Sequence, residues 1–272
     1  MTPYYADDRA TLYRGDALAV LRELPDASID AVITDPPYSS GGMMRGDRAQ
    51  PAEDKYRGWS QVPGGGSRKP TETYAGFTGD TRDQRGYLVW SSIWITECQR
   101  LLKPGGTFAT FTDWRQLPTT TDAVQAGGLV WRAVAVWDKG VGRPMRGRFR
   151  NHIEFIVWAT NGPHSDEQDA YPGAILRHAP PGAGDRLHLT EKPVSLVEEL
   201  LTLTPKGCTV LDPFMGAGTT GVAAAKASRR FIGVEITDHY SGVAEERIRA
   251  VLTGKPTEDA PQAVIDFDGL SA

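Results

Sequence analysis

Short β-branched and apolar runs alternate along the chain with segments of helical period. Ile29–Thr34 (IDAVIT) reads as a buried strand that stops at Asp35-Pro36-Pro37-Tyr38, because proline cannot donate to a strand ladder. Thr107–Thr112, Val130–Trp137, His152–Trp158, Cys208–Leu211 and Phe231–Val234 read as further strands, and Tyr13–Asp16 is a shorter candidate. Ala17–Leu24, Tyr87–Leu102, Pro193–Leu203 and Asp238–Leu252 carry the helical period; Trp90, Trp94, Cys98 and Leu101 share one face of the second. A helix of small residues runs through Ala223–Ala227, and Lys103-Pro104-Gly105-Gly106 is predicted as a turn. Strands alternating with helices predict an α/β, doubly wound, mostly parallel sheet covered on both faces.

Two stretches interrupt the alternation. Ser39–Gly86 has scattered Gly and Pro, a Gly64-Gly65-Gly66 run and little periodicity, and is predicted to be a loop-rich insertion of the functional kind. Its Tyr56, Trp59 and Tyr74 suit either a stacking surface or a small local core. Asn161–Leu187 is also loop-like, and residues 253–272 form a polar, net-negative tail.

Composition narrows the class without naming a function. Of the 272 residues, 40% are hydrophobic and 24% charged, enough apolar content for a packed core. No apolar run is long enough to span a membrane, and Met1–Arg9 lacks a basic-then-apolar leader pattern, so a cytoplasmic protein is expected. Cys98 and Cys208 lie far apart in apolar contexts and read as reduced core residues; no metal site is expected. A net charge of −4 excludes a uniformly basic nucleic-acid binder but leaves room for a local basic stripe. Lys139–Arg150 is such a stripe, with Lys139, Arg143, Arg146, Arg148 and Arg150 and no acid among them. Arginines spaced by glycines suit phosphate contacts; the plainer reading is a solvated loop.

Two segments carry candidate chemistry. The strand before Asp212 runs into Asp212-Pro213-Phe214-Met215-Gly216-Ala217-Gly218-Thr219-Thr220, a glycine-rich turn of the kind that lets backbone approach a ligand. Gly216, Gly218 and Gly221 alone would also fit a dinucleotide fingerprint, or a tight turn that binds nothing. Asp212 at one strand end could hold an amino group, and Glu235 at the end of the next could take both ribose hydroxyls. That acid pair suits a cationic, adenosine-bearing ligand better than a pyrophosphate. The second segment is Asp35–Tyr38. An aromatic amino group is a poor nucleophile while its lone pair is delocalised. The Asp35 carboxylate and the Pro36 carbonyl could accept its two protons, Pro37 stiffens the turn, and Tyr38 offers a ring face to an extruded base. Alone, the tetrapeptide would more often be an Asx-Pro turn.

Taken together, Asp35-Pro-Pro-Tyr38 followed far downstream by Asp212-Pro-Phe-Met-Gly-Ala-Gly-Thr-Thr220 resembles the S-adenosylmethionine-dependent amino DNA methyltransferases of the β-type motif order. The resemblance implies a seven-stranded Rossmann-like methyltransferase sheet, circularly permuted, with an antiparallel strand near Val157. It extends to His188-Leu-Thr190-Glu-Lys192-Pro193, whose counterpart lines the methionine end of the cofactor, and to Gly15-Asp16-Ala17-Leu18, whose Asp contacts the adenine. Glu235 matches the ribose-binding acid, Ile236 follows it, and Tyr240 would flank the adenine ring. Asp16 alone would more often be a helix N-cap. Implied are S-adenosyl-L-methionine as cofactor, double-stranded DNA as partner, in-line methyl transfer to N6 of a flipped-out adenine, and a cognate restriction endonuclease as possible companion. Monomer and homodimer both stay open.

Family members commonly read their target after the strand that here ends near Trp158. Asn161–Leu187 is short for that task, and Ser39–Gly86 could share it. Cytosine N4 is the alternative target, although those enzymes more often have Ser in place of Asp35. A nicotinamide-dependent oxidoreductase would explain the glycine loop but neither Asp35–Tyr38 nor the basic loop. A catalytically silent DNA-binding protein would leave the tetrapeptide without purpose.

Overall fold

A computed structural model describes residues 1–38, 82–142, 144, 146–164, 169–182 and 191–254. Most of the 39–86 insertion, with Tyr56, Trp59 and Tyr74, lies outside them, as do Arg143, Thr190 and the tail beyond 254. In chain order the elements are β1 (Tyr5–Ala6), β2 (Ala10–Arg14), α1 (Ala17–Glu23), β3 (Ile29–Thr34), α2 (Gln84–Leu101), β4 (Leu102–Thr112) and α3 (Leu117–Ala126). They continue with β5 (Val130–Asp138), β6 (Ile153–Thr160), β7 (Ile175–Arg177), α4 (Val194–Leu201), β8 (Thr209–Asp212), α5 (Thr219–Lys226), β9 (Arg230–Glu235) and α6 (Asp238–Thr253).

The strands form one sheet in the order β1-β2-β9-β8-β3-β4-β6-β5-β7. From β2 through β4 all neighbours are parallel, whereas β6, which contains Val157, is antiparallel to both β4 and β5. The seven-stranded methyltransferase frame is therefore present, extended by two short edge strands, β1 and β7. Short edges limit the unpaired backbone offered to other chains.

Strand alternation divides the core between the two faces. Ile33 and Val210 pack with Leu196, Leu200, Ala223 and Ile248, so α4, α5 and α6 cover one side. Val32 and Leu211 pack with Leu21, Trp94, Cys98 and Val124, so α1, α2 and α3 cover the other. Both cysteines are buried and free. Among the described residues no helix is long and apolar enough to cross a membrane.

Three local expectations are corrected and one helix is added. The first parallel strand is Ala10–Arg14 rather than Tyr13–Asp16, because pairing with β9 buries Ala10 and Leu12, and Asp16 instead caps α1. The Lys103–Gly106 turn sits inside β4: its register against β3 jumps from Ile29↔Leu102 to Ala31↔Thr107, so the extra residues bulge out of the ladder. Helix α3 went unread because consecutive threonines at 119–121 suggest a strand; packing overrides that preference by burying Thr120, Thr121, Ala123 and Val124 against the sheet. Within the expected loop 161–187, residues 175–177 add to the edge of β5.

Candidate active site

Parallel pairing of β3 with β8 (Ala31↔Val210, Val32↔Leu211) brings the two chemistry-bearing segments together although they are far apart in sequence. The Thr34 hydroxyl donates to Asp212 Oδ1 at 2.7 Å, which also accepts the Phe214 amide at 3.0 Å. The helical crossovers from β3 and β8 leave in opposite directions along the sheet. The crevice at the carboxyl ends of these strands is thus a topological switch point, where doubly wound sheets bind ligands.

A cavity of about 340 Å3 opens there. Asp35–Tyr38 form part of its wall, the 213–220 turn another, and Asp16, Ala17, Leu18, Lys192, Asp212, Glu235, Ile236 and Tyr240 complete it. Of the sequence-predicted cofactor residues that are described, only Gly218 and Pro193 do not line it, and each supports a segment that does. Gly218 has φ of +82° and caps α5, and a Cβ there would lie 2.9 Å from the Ala244 Cβ. Pro193 is the N-cap of α4, next to Lys192.

Glu235 is held from both sides. One carboxylate oxygen accepts the Gly216 amide at 3.1 Å, and the other accepts the Thr237 amide at 2.9 Å and hydroxyl at 2.7 Å. Asp16 accepts the Ala19 amide at 3.0 Å, so it both caps α1 and faces the cavity. Asp212 is 3% exposed, and its burial raises its pKa to about 6.

On the catalytic side, Lys192 Nζ lies 2.5 Å from Asp35 Oδ2 and 3.4 Å from Glu154 Oε2. Asp35 Oδ1 is buried with no hydrogen-bond partner, an acceptor left over at the cavity wall. Burial raises the Asp35 carboxyl above its ordinary value, against the pull of Lys192. For Lys192 burial works the other way, yet the carboxylates of Asp35 and Glu154 outweigh it and keep the ammonium protonated. Burial would likewise raise Glu154, but Lys192 and Lys139 hold it below the usual range.

Four residues around the cavity escaped the sequence reading. Glu154 accepts from Lys139 Nζ at 2.6 Å and from the Tyr38 hydroxyl at 3.4 Å. Arg247 on α6 donates to the Ala217 carbonyl and to Glu191, both at 2.6 Å, bracing the glycine turn against the segment that carries Lys192. Trp90 and Trp94, legible only as one helix face, meet Phe214 at 5.4 and 5.2 Å between ring centroids and form an aromatic cavity wall. Lys139 is thus committed to Glu154, while Arg146, Arg148 and Arg150 are exposed on the β5–β6 loop, and Phe149 among them is fully exposed.

A permuted Rossmann-like sheet with acid-ended strands around a glycine turn, facing an Asp-Pro-Pro-Tyr corner, defines a methyltransferase. The chain belongs to the DNA methylase family, whose N6/N4 methyltransferase model matches residues 29–246. It is similar to the type II methyltransferase M2.DpnII of Streptococcus pneumoniae, 26% identical over 270 residues that cover 91% of this chain and 92% of that protein. In fold it is similar to the M1.HpyAVI–SAM complex, with a TM-score of 0.61 at 23% identity over 88% of this chain and 98% of that one. It also resembles the cytosine-N4-specific PvuII DNA methyltransferase, with a TM-score of 0.63 at 20% identity over 93% and 96% of the two chains. The protein is accordingly a DNA methyltransferase of the N6-adenine/N4-cytosine type.

Proposed function

We propose that this chain transfers a methyl group from S-adenosyl-L-methionine to N6 of an adenine flipped out of double-stranded DNA. The observation that carries the reading is the buried, unpartnered Oδ1 of Asp35 at the cavity wall. An orphaned buried acceptor is costly, and a target amino group would satisfy it. Lys192 occupies the other oxygen, so the carboxylate presents one acceptor in a fixed direction. With the Pro36 carbonyl accepting the second proton, the nitrogen lone pair is directed at the donor.

The donor supplies an electrophilic methyl group at its sulfonium: the carbon–sulfur bond breaks as the carbon–nitrogen bond forms, and sulfur keeps the electron pair. The surplus proton on the methylated nitrogen passes to Asp35 Oδ1, whose raised pKa suits it to the task. Glu235 and the Gly216 turn take the ribose, Asp16 and Tyr240 the adenine, and Lys192 and Pro193 the methionine end. The acid-ended strands, the glycine turn and the aromatic wall all suit a cationic nucleoside. The exposed arginines 146, 148 and 150, with Phe149 between them, rise from the β5–β6 loop on the catalytic side of the sheet and suit a DNA backbone. Target reading is assigned to residues 39–86 and 161–187 on the sequence alone.

Methylation-sensitive long-read sequencing of DNA from cells expressing the chain tests this directly, with mass spectrometry of the digested nucleosides. N6-methyladenine at a repeated motif is the expected result. N4-methylcytosine alone would overturn the adenine assignment and leave the class intact.

A further inference from the structure

Glu154 lies outside both sequence motifs, yet the charged groups of the catalytic corner meet at its carboxylate. Oε1 accepts from Lys139 at 2.6 Å, and Oε2 lies 3.4 Å from both Lys192 Nζ and the Tyr38 hydroxyl. Lys192, 5% exposed, passes the chain of contacts on to Asp35. From the cavity outward, then, charges alternate: Asp35 negative, Lys192 positive, Glu154 negative, Lys139 positive. Asp35 and Lys192 line the cavity; Glu154 and Lys139 do not. Opposite charges next to one another lower the cost of burying each, and with Glu154 the four groups sum to zero; without it the two lysines face Asp35 alone and leave one net positive charge beside the cavity.

That matters for a ligand whose charge changes in the reaction. S-adenosylmethionine carries one more positive charge than S-adenosylhomocysteine and is otherwise nearly the same molecule. The ratio of their affinities therefore reads the potential at the reacting sulfur, while losses common to both ligands cancel. We propose that Glu154 is a positioning residue that acts through Lys192 to set this potential, favouring the cationic donor over the neutral product, and that Lys139 opposes it from the far side. The proposal rests on the cofactor reading above.

Isothermal titration of both ligands, without DNA, tests it in the full-length protein and three variants. Glu154→Gln should lower the ratio of donor to product affinity by about tenfold, the scale on which one unit charge acts across a partly buried site. Glu154→Asp, which keeps the charge, should leave the ratio near the wild-type value even if both affinities fall. Lys139→Gln, at the root of the loop, should shift the ratio the other way, about threefold or more in favour of the donor. Opposite shifts in the two charge-removing variants are the signature, because a merely structural role for Glu154 would weaken both ligands alike. Unchanged ratios, or shifts of the same sign, would overturn the proposal. Should Glu154→Gln fail to fold, Lys139→Gln decides alone: a rise supports the proposal, and no change or a fall overturns it. Wild-type protein that binds neither ligand would instead sink the cofactor reading itself.

Discussion

Lys192 and Asp35, 157 positions apart in the chain, meet at 2.5 Å on the wall of the cavity at the carboxyl ends of β3 and β8. The contact fixes which oxygen of the Asp35 carboxylate is spent within the protein and which is left without a hydrogen-bond partner. It also makes Lys192 the keystone of a buried charge cluster, since Glu154 lies on its other side.

Lys192→Met keeps an unbranched side chain, shorter by the ammonium group, and removes its charge. Two largely buried carboxylates would lose their shared cation, and removing one partner of a buried pair costs about 3–5 kcal/mol. The loss should depend on pH. The folded-state pKa of Asp35 already lies above its unfolded value, and without Lys192 those of both Asp35 and Glu154 move up from where the wild type holds them. The folded variant then holds more protons than the folded wild type, and its deficit in stability grows as pH rises through the range where they are lost. Urea denaturation at pH 5 and pH 8 should show the variant closest to wild type at the lower pH. An equal deficit at both would mean that the two carboxylates do not depend on Lys192.

Gly218 takes a left-handed conformation and lies against Ala244. Gly218→Ala adds a left-handed penalty of about 1–2 kcal/mol to overpacking of about 1–3 kcal/mol. A total loss of about 2–5 kcal/mol in chemical denaturation is expected, with weaker cofactor binding because the turn moves. A variant as stable as wild type would show that the turn can relax without cost.

The Asp35 corner and the glycine turn were legible because each imposes its residues locally. Two prolines must end a strand, and positive φ at Gly216 and Gly218 must be glycine. Glu154 was not legible. In His152–Trp158 it occupies one position in an apolar run, where a lone acid reads as a solvent-facing side chain. Its true partners arrive from Tyr38, Lys139 and Lys192, and only the order β3-β4-β6-β5 brings them together. Lys139 is the complementary case: its place in a run of positive charge suggested phosphate and gave no sign of Glu154, with which the first cation of the loop pairs across the sheet. Arg247 was hidden in the same way, as one of several charges on an amphipathic helix. Pairwise chemistry across the sheet is written in topology rather than in local pattern.

Asp212 predicts a second pH dependence. Burial raises its folded pKa from 3.8 to about 6, so the folded state binds its proton more tightly than the unfolded chain does. Its contribution disfavours folding increasingly as pH rises from about 4 to about 6 and is constant above, a total of about 3 kcal/mol for that displacement. Asp212→Asn removes this titration. The stability difference between variant and wild type should therefore move in favour of the variant between pH 4.5 and pH 7, measured by denaturant unfolding of the free protein. A difference that stays constant across this range would mean that Asp212 titrates normally.

Glu235 and Asp35 should separate binding from chemistry. Glu235→Ala loses a charge-assisted contact to the ligand, and its anchoring of Gly216 and Thr237 goes with it. Such a bond is worth about 1.5–3 kcal/mol, or roughly ten- to a hundredfold in cofactor affinity, and high cofactor should partly restore turnover. Asp35→Ala should lose turnover that added cofactor does not restore. Single-turnover kinetics at saturating cofactor decide between the two. Near-wild-type turnover of Asp35→Ala there would remove it from the chemistry.

The exposed arginines of the β5–β6 loop yield a prediction about DNA that is independent of the cofactor. Among the described residues no carboxylate lies within ion-pair distance of Arg146, Arg148 or Arg150, so their charges are available to an external anion. Each phosphate that a protein neutralises releases condensed counterions, and affinity then falls with salt by a slope of about 0.9 per contact. Replacing all three arginines with Ala should therefore reduce the salt slope for random duplex DNA by up to about 2.7. Binding should weaken most at low salt, and S-adenosylmethionine affinity should be unchanged because none of the three lines the cavity. Lys139→Gln should alter the slope much less, since its charge is already spent on Glu154. Fluorescence anisotropy over a series of salt concentrations measures both. A triple variant that keeps the wild-type slope would place the duplex elsewhere on the protein, and a Lys139 effect equal to that of one arginine would mean that DNA draws Lys139 away from Glu154.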